Sequence, residues 1–156
     1  MPKTNGSGQA TTLDPTQLDI LLDASPTPEM RCIWSVQRYT GSRITETLKL
    51  TWGAIHDERI CFIRSTTKTK TSREVLIDPR LRKEIDFYRT LWSAKYQREA
   101  SNRDYLFPSR FGTLQPMSRQ NCDLALRETL KTCGLPSGIS LHTFRRSLAT
   151  NMSKKV

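Results

Sequence analysis

The sequence predicts an α+β fold, mainly helical, in a single domain with a small antiparallel β-hairpin on one side. Three observations carry this. Apolar residues recur at intervals of three and four through most of the chain, the mark of helices with one buried face. That period breaks after His56-Asp57, where two short β-type runs follow. The length of 156 residues and the 36% hydrophobic content suit one domain with a real core.

Taken in order, Asp14-Pro15 reads as an N-cap with proline at the first helical position. Leu18, Leu21 and Leu22 then give a short amphipathic helix ending near Ser25-Pro26. Pro28 opens a second helix, with Met30, Ile33, Trp34 and Gln37 down one side toward Tyr39. Thr40-Gly41-Ser42 is a turn that runs into a third amphipathic segment starting at Arg43. Its Ile44, Leu48, Trp52 and Ile55 fall at helical spacing. Arg59 to Arg64 and Arg73 to Ile77 read as the two strands of the hairpin, and the basic, polar run from Ser65 to Ser72 as its tip. Asp78-Pro79 caps a fourth helix with Leu81, Ile85, Tyr88 and Leu91/Trp92 on its stripe, fraying into a loop over 95–103. Asp104-Tyr105-Leu106-Phe107-Pro108 is a short apolar anchor before a turn around Gly112. Ser118 caps a helix from Arg119 to Cys133, striped by Cys122, Ala125, Leu126 and Leu130 and closed by Gly134 at C′. The last helix spans Ser140 to Thr150, and Leu141, Phe144, Leu148 and Met152 form its buried stripe.

The formal net charge of +10 points to a polyanionic partner, nucleic acid first and an anionic membrane second. No apolar run approaches a membrane span. Residues 1–12 are polar and Gly/Ser/Thr-rich without an apolar h-region. They read as a disordered leader rather than a signal peptide, which sets the expectation of a cytoplasmic protein. Cys32, Cys61, Cys122 and Cys133 form no CxxC pair, so reduced and mostly buried thiols are expected. No carboxylate cluster suited to Mg²⁺ and no P-loop pattern is visible, and neither a metal nor a cofactor is expected.

Chemistry can sit in two places. Arg43 and Glu46 are three apart and neighbour each other at a helix start, where the arginine fork either grips a phosphate or makes an ordinary surface ion pair. His142 and Arg145, also three apart, lie beside the buried stripe of the last helix. They either bind and protonate one oxyanion or form a solvated basic face.

With the lysine-tipped hairpin between them, these segments resemble the tyrosine recombinase, or phage integrase, family from Leu13 to Asn151. Tyr39-Thr40-Gly41-Ser42-Arg43-Ile44-Thr45-Glu46-Thr47-Leu48 looks like its first arginine box, and Thr67 to Val75 like its β-hairpin lysine region. Tyr105-Leu106-Phe107-Pro108 is similar to its short apolar anchor, and Leu141-His142-Thr143-Phe144-Arg145-Arg146 to its second box. The resemblance implies a recombinase catalytic-domain fold acting on double-stranded DNA by metal-free phosphoryl transfer. Arg43 and Arg145 would clamp the scissile phosphate, His142 would assist as acid/base and phosphate ligand, and Glu46 would orient Arg43. Lys68 would protonate the departing 5′-hydroxyl. It is favoured over Lys70 because its five-residue spacing to Arg73 matches the family pattern better. Lys70, Arg73 and Arg146 are further candidate DNA contacts.

Two departures from the pattern shape the expectation. No further His or Trp and no nucleophilic tyrosine follow Arg145 before Val156, while Tyr39, Tyr88, Tyr96 and Tyr105 are each better explained by packing or surface position. Only the leader precedes the first helix, where the family carries a helical core-binding domain. Residues 13–156 are therefore expected to be an integrase-like catalytic domain without its C-terminal segment or its N-terminal partner domain, inactive in cleavage as it stands. The alternative is a non-cleaving DNA-binding remnant or accessory module, and a third reading is a basic domain that meets RNA. A monomer is expected for this chain alone, and a tetramer on DNA for an intact enzyme.

Overall fold

In the computed structural model, which describes residues 10–63 and 72–154, the second helix is the axis on which four of the other helices are assembled. The described residues form α1 (Pro15–Asp23), α2 (Pro28–Thr40), α3 (Ile44–Leu48), β1 (Arg59–Ile63), β2 (Ser72–Leu76), α4 (Pro79–Tyr96), β3 (Pro108–Ser109), β4 (Gly112–Pro116), α5 (Arg119–Leu130) and α6 (Thr143–Lys154). The Asp14 carboxylate accepts from the Gln17 amide at 2.8 Å and Gln17 returns the bond at 3.0 Å, so a capping box starts α1. The Thr27 hydroxyl starts α2 by accepting from the Met30 amide at 3.1 Å.

Cys32, Ile33, Trp34, Ser35, Val36 and Gln37 of α2 are each at most 1% exposed. A helix buried around so much of its circumference must be enclosed by others, and α1, α3, α4 and α6 all pack on it. Trp34 meets Phe144 of α6, with ring centroids 6.3 Å apart. Phe62, Phe107 and Phe144 are buried from β1, the apolar anchor and α6, each contributing about 1.5–3 kcal/mol by leaving water.

Strands β1 and β2 pair antiparallel, with Arg59 opposite Leu76 and Ile63 opposite Ser72. Alternation turns Ile60 and Phe62 inward and Arg59 and Ile63 outward. Lys68 and Lys70 lie outside the described residues, as do residues 1–9 of the stretch read as a leader. Within the stretch expected to be disordered, Thr11 is fastened to the turn before α6. Its amide donates to the Gly138 carbonyl at 2.9 Å and its hydroxyl to the Ser137 carbonyl at 2.6 Å. The Leu13 amide donates to Ser147 Oγ at 2.8 Å, and Asn151 Nδ2 to the Leu13 carbonyl at 3.2 Å.

The structure corrects several sequence expectations. The third helical segment stops at Leu48. Beyond it the backbone bonds sideways: Leu106 N donates to the Leu50 carbonyl at 3.1 Å, Trp52 N to Asp104 at 2.9 Å and Gly53 N to Asn102 at 3.1 Å. Ile44, Leu48 and Trp52 are buried as their spacing suggests, but a neighbouring segment takes the backbone bonds that would have continued the helix. Strands β3 and β4 make a second antiparallel pair where only a turn around Gly112 was expected. None of the residues of β4 is buried, so no alternation betrays the strand. Helix α5 ends at Leu130 rather than Cys133, because the amides of Lys131 and Thr132 fold back to carbonyls three residues earlier. Helix α6 begins at Thr143, leaving Leu141 and His142 ahead of it. Met152 is 60% exposed rather than buried. With Leu148, Leu18, Tyr39 and Leu76 it lines an open cleft of about 500 Å³.

Candidate functional site

Arg43 stands at the N-cap of α3 in extended conformation, φ −74° and ψ 155°. Its amide donates to Glu46 Oε1 at 2.9 Å, and its carbonyl accepts from the Thr47 amide and hydroxyl, both at 2.9 Å. The backbone is thus held on both sides while the guanidinium stays exposed. Behind it, Ser42 Oγ is buried 3.0 Å from Thr40 Oγ1 and 2.8 Å from Thr47 Oγ1. Thr40 anchors this run of hydroxyls to the Val36 carbonyl of α2 at 2.6 Å.

The Glu46 carboxylate meets Arg73 Nη2 of β2 at 3.3 Å, while its contact with Arg43 is to the backbone amide. The sequence placed Arg43 and Glu46 side by side as side chains. In the fold Glu46 caps the Arg43 backbone and pairs with the hairpin. Burial by itself would raise the Glu46 carboxyl, but the Arg43 amide and the Arg73 guanidinium outweigh it and hold the pKa below the ordinary value. Arg73 also stacks over Phe62, its guanidinium carbon 4.8 Å from the ring centroid. Arg73 is therefore half-buried and engaged, and it ties the hairpin to α3.

The second candidate cluster opens α6. The His142 amide donates to Ser140 Oγ at 3.2 Å, and its carbonyl accepts from the Arg146 amide at 3.1 Å. His142 and Arg145 are both exposed, Arg145 from the first turn of α6. The positive end of a helix backbone adds to the cationic character there. Arg146 is half-buried, and its Nε is enclosed with no hydrogen-bond partner among the described residues.

Two contacts bring the clusters together. A Cβ added at Gly41, where φ is +72°, would lie 3.1 Å from Leu148 Cδ2, so the turn before Arg43 sits close against α6. The fully buried amide of Gln37 donates to the Ser42 carbonyl at 3.4 Å and to the Leu141 carbonyl at 3.3 Å. In the sequence Gln37 shares one side of α2 with Met30, Ile33 and Trp34. The signal was there: a polar side chain in a row of core positions needs internal partners.

The tyrosines are engaged elsewhere. Tyr88 is buried and donates its hydroxyl to the Leu106 carbonyl at 2.5 Å, and burial drives its pKa upward. Tyr96 packs on Trp92, with centroids 4.6 Å apart. Tyr39 has the Arg38 and Arg80 guanidiniums over its ring, each 4.9 Å from the centroid, and the Tyr105 backbone forms an antiparallel bridge with Thr51. Cys32 and Cys122 are buried free thiols, and burial pushes Cys122 up to about 12. Among the described residues, no group of three His, Cys, Asp or Glu side chains is placed to hold a metal ion.

A mainly helical α+β domain, with small antiparallel sheets and exposed cations on two tied segments, has the fold of a tyrosine recombinase catalytic domain. The XerA recombinase structure superimposes with a TM-score of 0.73 at 22% identity, covering 93% of this chain and 51% of that one. The lambda integrase catalytic core gives 0.71 at 14% identity, covering 95% and 85%. The integrase of mycobacterium phage Brujita gives 0.66 at 14%, covering 96% and 45%. At these identities the likeness is one of fold, and the chain spans about half the length of the XerA recombinase. A sequence comparison with curated proteins finds no match. A model of the phage integrase family matches residues 11–156, and the chain belongs to that family.

Proposed function

We propose that this chain is the phosphate-gripping part of a site-specific DNA recombinase, with Arg43 and Arg145 holding the non-bridging oxygens of one DNA phosphate. The observation that carries the reading is the family match over residues 11–156, which contains both arginine segments. Support comes from their exposure and from the contacts that fasten one segment to the other. Structures of similar fold include the lambda integrase bound to DNA and the XerH recombinase in a pre-cleavage complex with its difH substrate.

On this reading the reaction is a metal-free transesterification. A tyrosine oxygen attacks phosphorus and the bond to the 5′-oxygen breaks. Lys68 delivers a proton to that oxygen, and the 3′-phosphate is left on the tyrosine. Arg43 and Arg145 offset the charge that builds on the equatorial oxygens. His142 binds the same phosphate and, as acid/base, takes up the proton that the attacking tyrosine hydroxyl loses, Glu46 fixes the Arg43 backbone, and Lys70, Arg73 and Arg146 add contacts to the DNA backbone. None of the chain's own tyrosines is assigned as nucleophile. The duplex is the partner, the cytoplasm the expected compartment, and no helix among the described residues is long and apolar enough to cross a membrane. A monomer is assigned to this chain alone and a tetramer to the intact enzyme on DNA.

The second reading, a non-cleaving DNA-binding module, is favoured by the engagement of Tyr88, whose hydroxyl is already bonded to Leu106. Two measurements test these readings. Arg43→Ala and Arg145→Ala are each expected to weaken binding to duplex DNA about tenfold, roughly uniformly over sequences, because phosphate contacts position rather than specify. Unchanged affinity in both variants sinks the phosphate grip. Incubation with a nicked duplex and denaturing electrophoresis tests the module: a covalent protein–DNA band overturns it.

A further inference from the structure

We infer that Gln37 is a positioning residue that sets the spacing between the two arginine-bearing segments. The inference rests on the phosphate-grip reading and names the side chain that gives the grip its geometry.

The carbonyls it holds are those of Ser42 and Leu141, immediately before Arg43 and immediately before His142. One planar amide nitrogen has two hydrogens, one for each carbonyl. Its partners are five and 104 residues away in sequence, so a single buried group spans two separately placed chain segments. The orientation of the amide follows from chemistry. Both partners are acceptors, and a flipped amide would aim its own oxygen at two carbonyl oxygens. Gln37 Oε1 is buried with no hydrogen-bond partner among the described residues.

The stability terms of this choice oppose one another. Gln37 is 0% exposed, in a row with Ile33, Trp34 and Val36. A methionine there would fill a similar volume and bury no partnerless amide oxygen, but it would leave the Ser42 and Leu141 carbonyls each one donor short. The amide instead supplies a directional tie. Gly41 against Leu148 limits how closely the turn and α6 approach, and the Gln37 bonds limit how far they part. Between these limits the backbones that carry Arg43 and Arg145 keep one separation, as two guanidiniums on one phosphate require.

The test is a double-mutant cycle on duplex DNA affinity, with Arg43→Ala, Arg145→Ala and their combination in the parent chain and in Gln37→Met, each protein checked by thermal melting. In the parent, arginines sharing a phosphate are non-additive, so the double variant departs from the product of the single losses by at least about threefold. In Gln37→Met this departure is expected to vanish while the cooperative melt is retained. Loss of packing alone changes the melt and leaves the coupling. Arginine losses whose coupling survives Gln37→Met overturn the inference and leave the grip standing. Arginine variants without effect in the parent overturn both. If Gln37→Met does not melt cooperatively, Gln37→Asn takes its place, keeping an amide but falling one methylene short of holding both carbonyls. If neither variant folds, Gln37 is a core residue and the inference is overturned.

Discussion

Gly41 occupies the left-handed region at φ +72°, and a Cβ there would press on Leu148. Gly41→Ala therefore meets two costs at once, backbone strain and crowding. It is expected to lower stability by about 1–2 kcal/mol in chemical denaturation. Asp104 provides a test in pH. The Arg98 guanidinium, bonded at 2.8 and 2.9 Å, holds its carboxyl well below the usual carboxylate range. The folded state then releases this proton more readily than the unfolded one. The stabilisation is complete above the unfolded pKa near ~4 and disappears as pH falls through the folded value. Asp104→Asn is expected to cost about 1–3 kcal/mol at neutral pH and to flatten the acid limb of a urea-unfolding series. At this scale the placing of Arg43, His142 and Arg145 at exposed helix starts was legible in the sequence, because a turn running into an apolar stripe leaves a local signature. The Glu46–Arg73 pair and the Gln37 bridge were not. Their partners are set by tertiary packing, which residue spacing along one element does not encode.

Elements differed in legibility for a physical reason. Helices α1, α2 and α4 carry caps, terminal prolines and long buried stripes, so their starts and inward faces could be read directly. Helix α3 carries an equally good stripe, but its continuation is captured by residues 102–106, whose backbone competes for the same groups. Strand β4 has no buried face and so emits no pattern at all. The anchor that captures the end of α3 is itself held to α4 by the Tyr88 hydroxyl on the Leu106 carbonyl. Tyr88→Phe leaves that buried carbonyl with one partner fewer. It is expected to lower stability by about 1–2 kcal/mol while leaving duplex affinity unchanged, checked by thermal melting beside a binding titration.

Over the whole molecule, the net charge of +10 gives duplex binding a steep salt dependence on the proposed reading. Log affinity is expected to fall linearly with log salt, and Arg43→Ala or Arg145→Ala to reduce the slope by about one each, measured by fluorescence anisotropy across a salt series. Charge in the sequence pointed to a polyanion, but only the fold shows that the segments carrying Arg43 and Arg145, far apart in the chain, are tied to one buried side chain. That arrangement also has a consequence in time. Leu13 and Ser147 are 134 residues apart, and Gln37 and Leu141 are 104 apart. At about 5–20 residues per second of synthesis, Gln37 waits on the order of 5–20 s for its second carbonyl. During that interval the nascent chain presents Arg43 without its counterpart. On the proposed reading, a two-arginine grip would come into being only once α6 has been made, so a ribosome-bound chain would hold DNA phosphate with one hand at most.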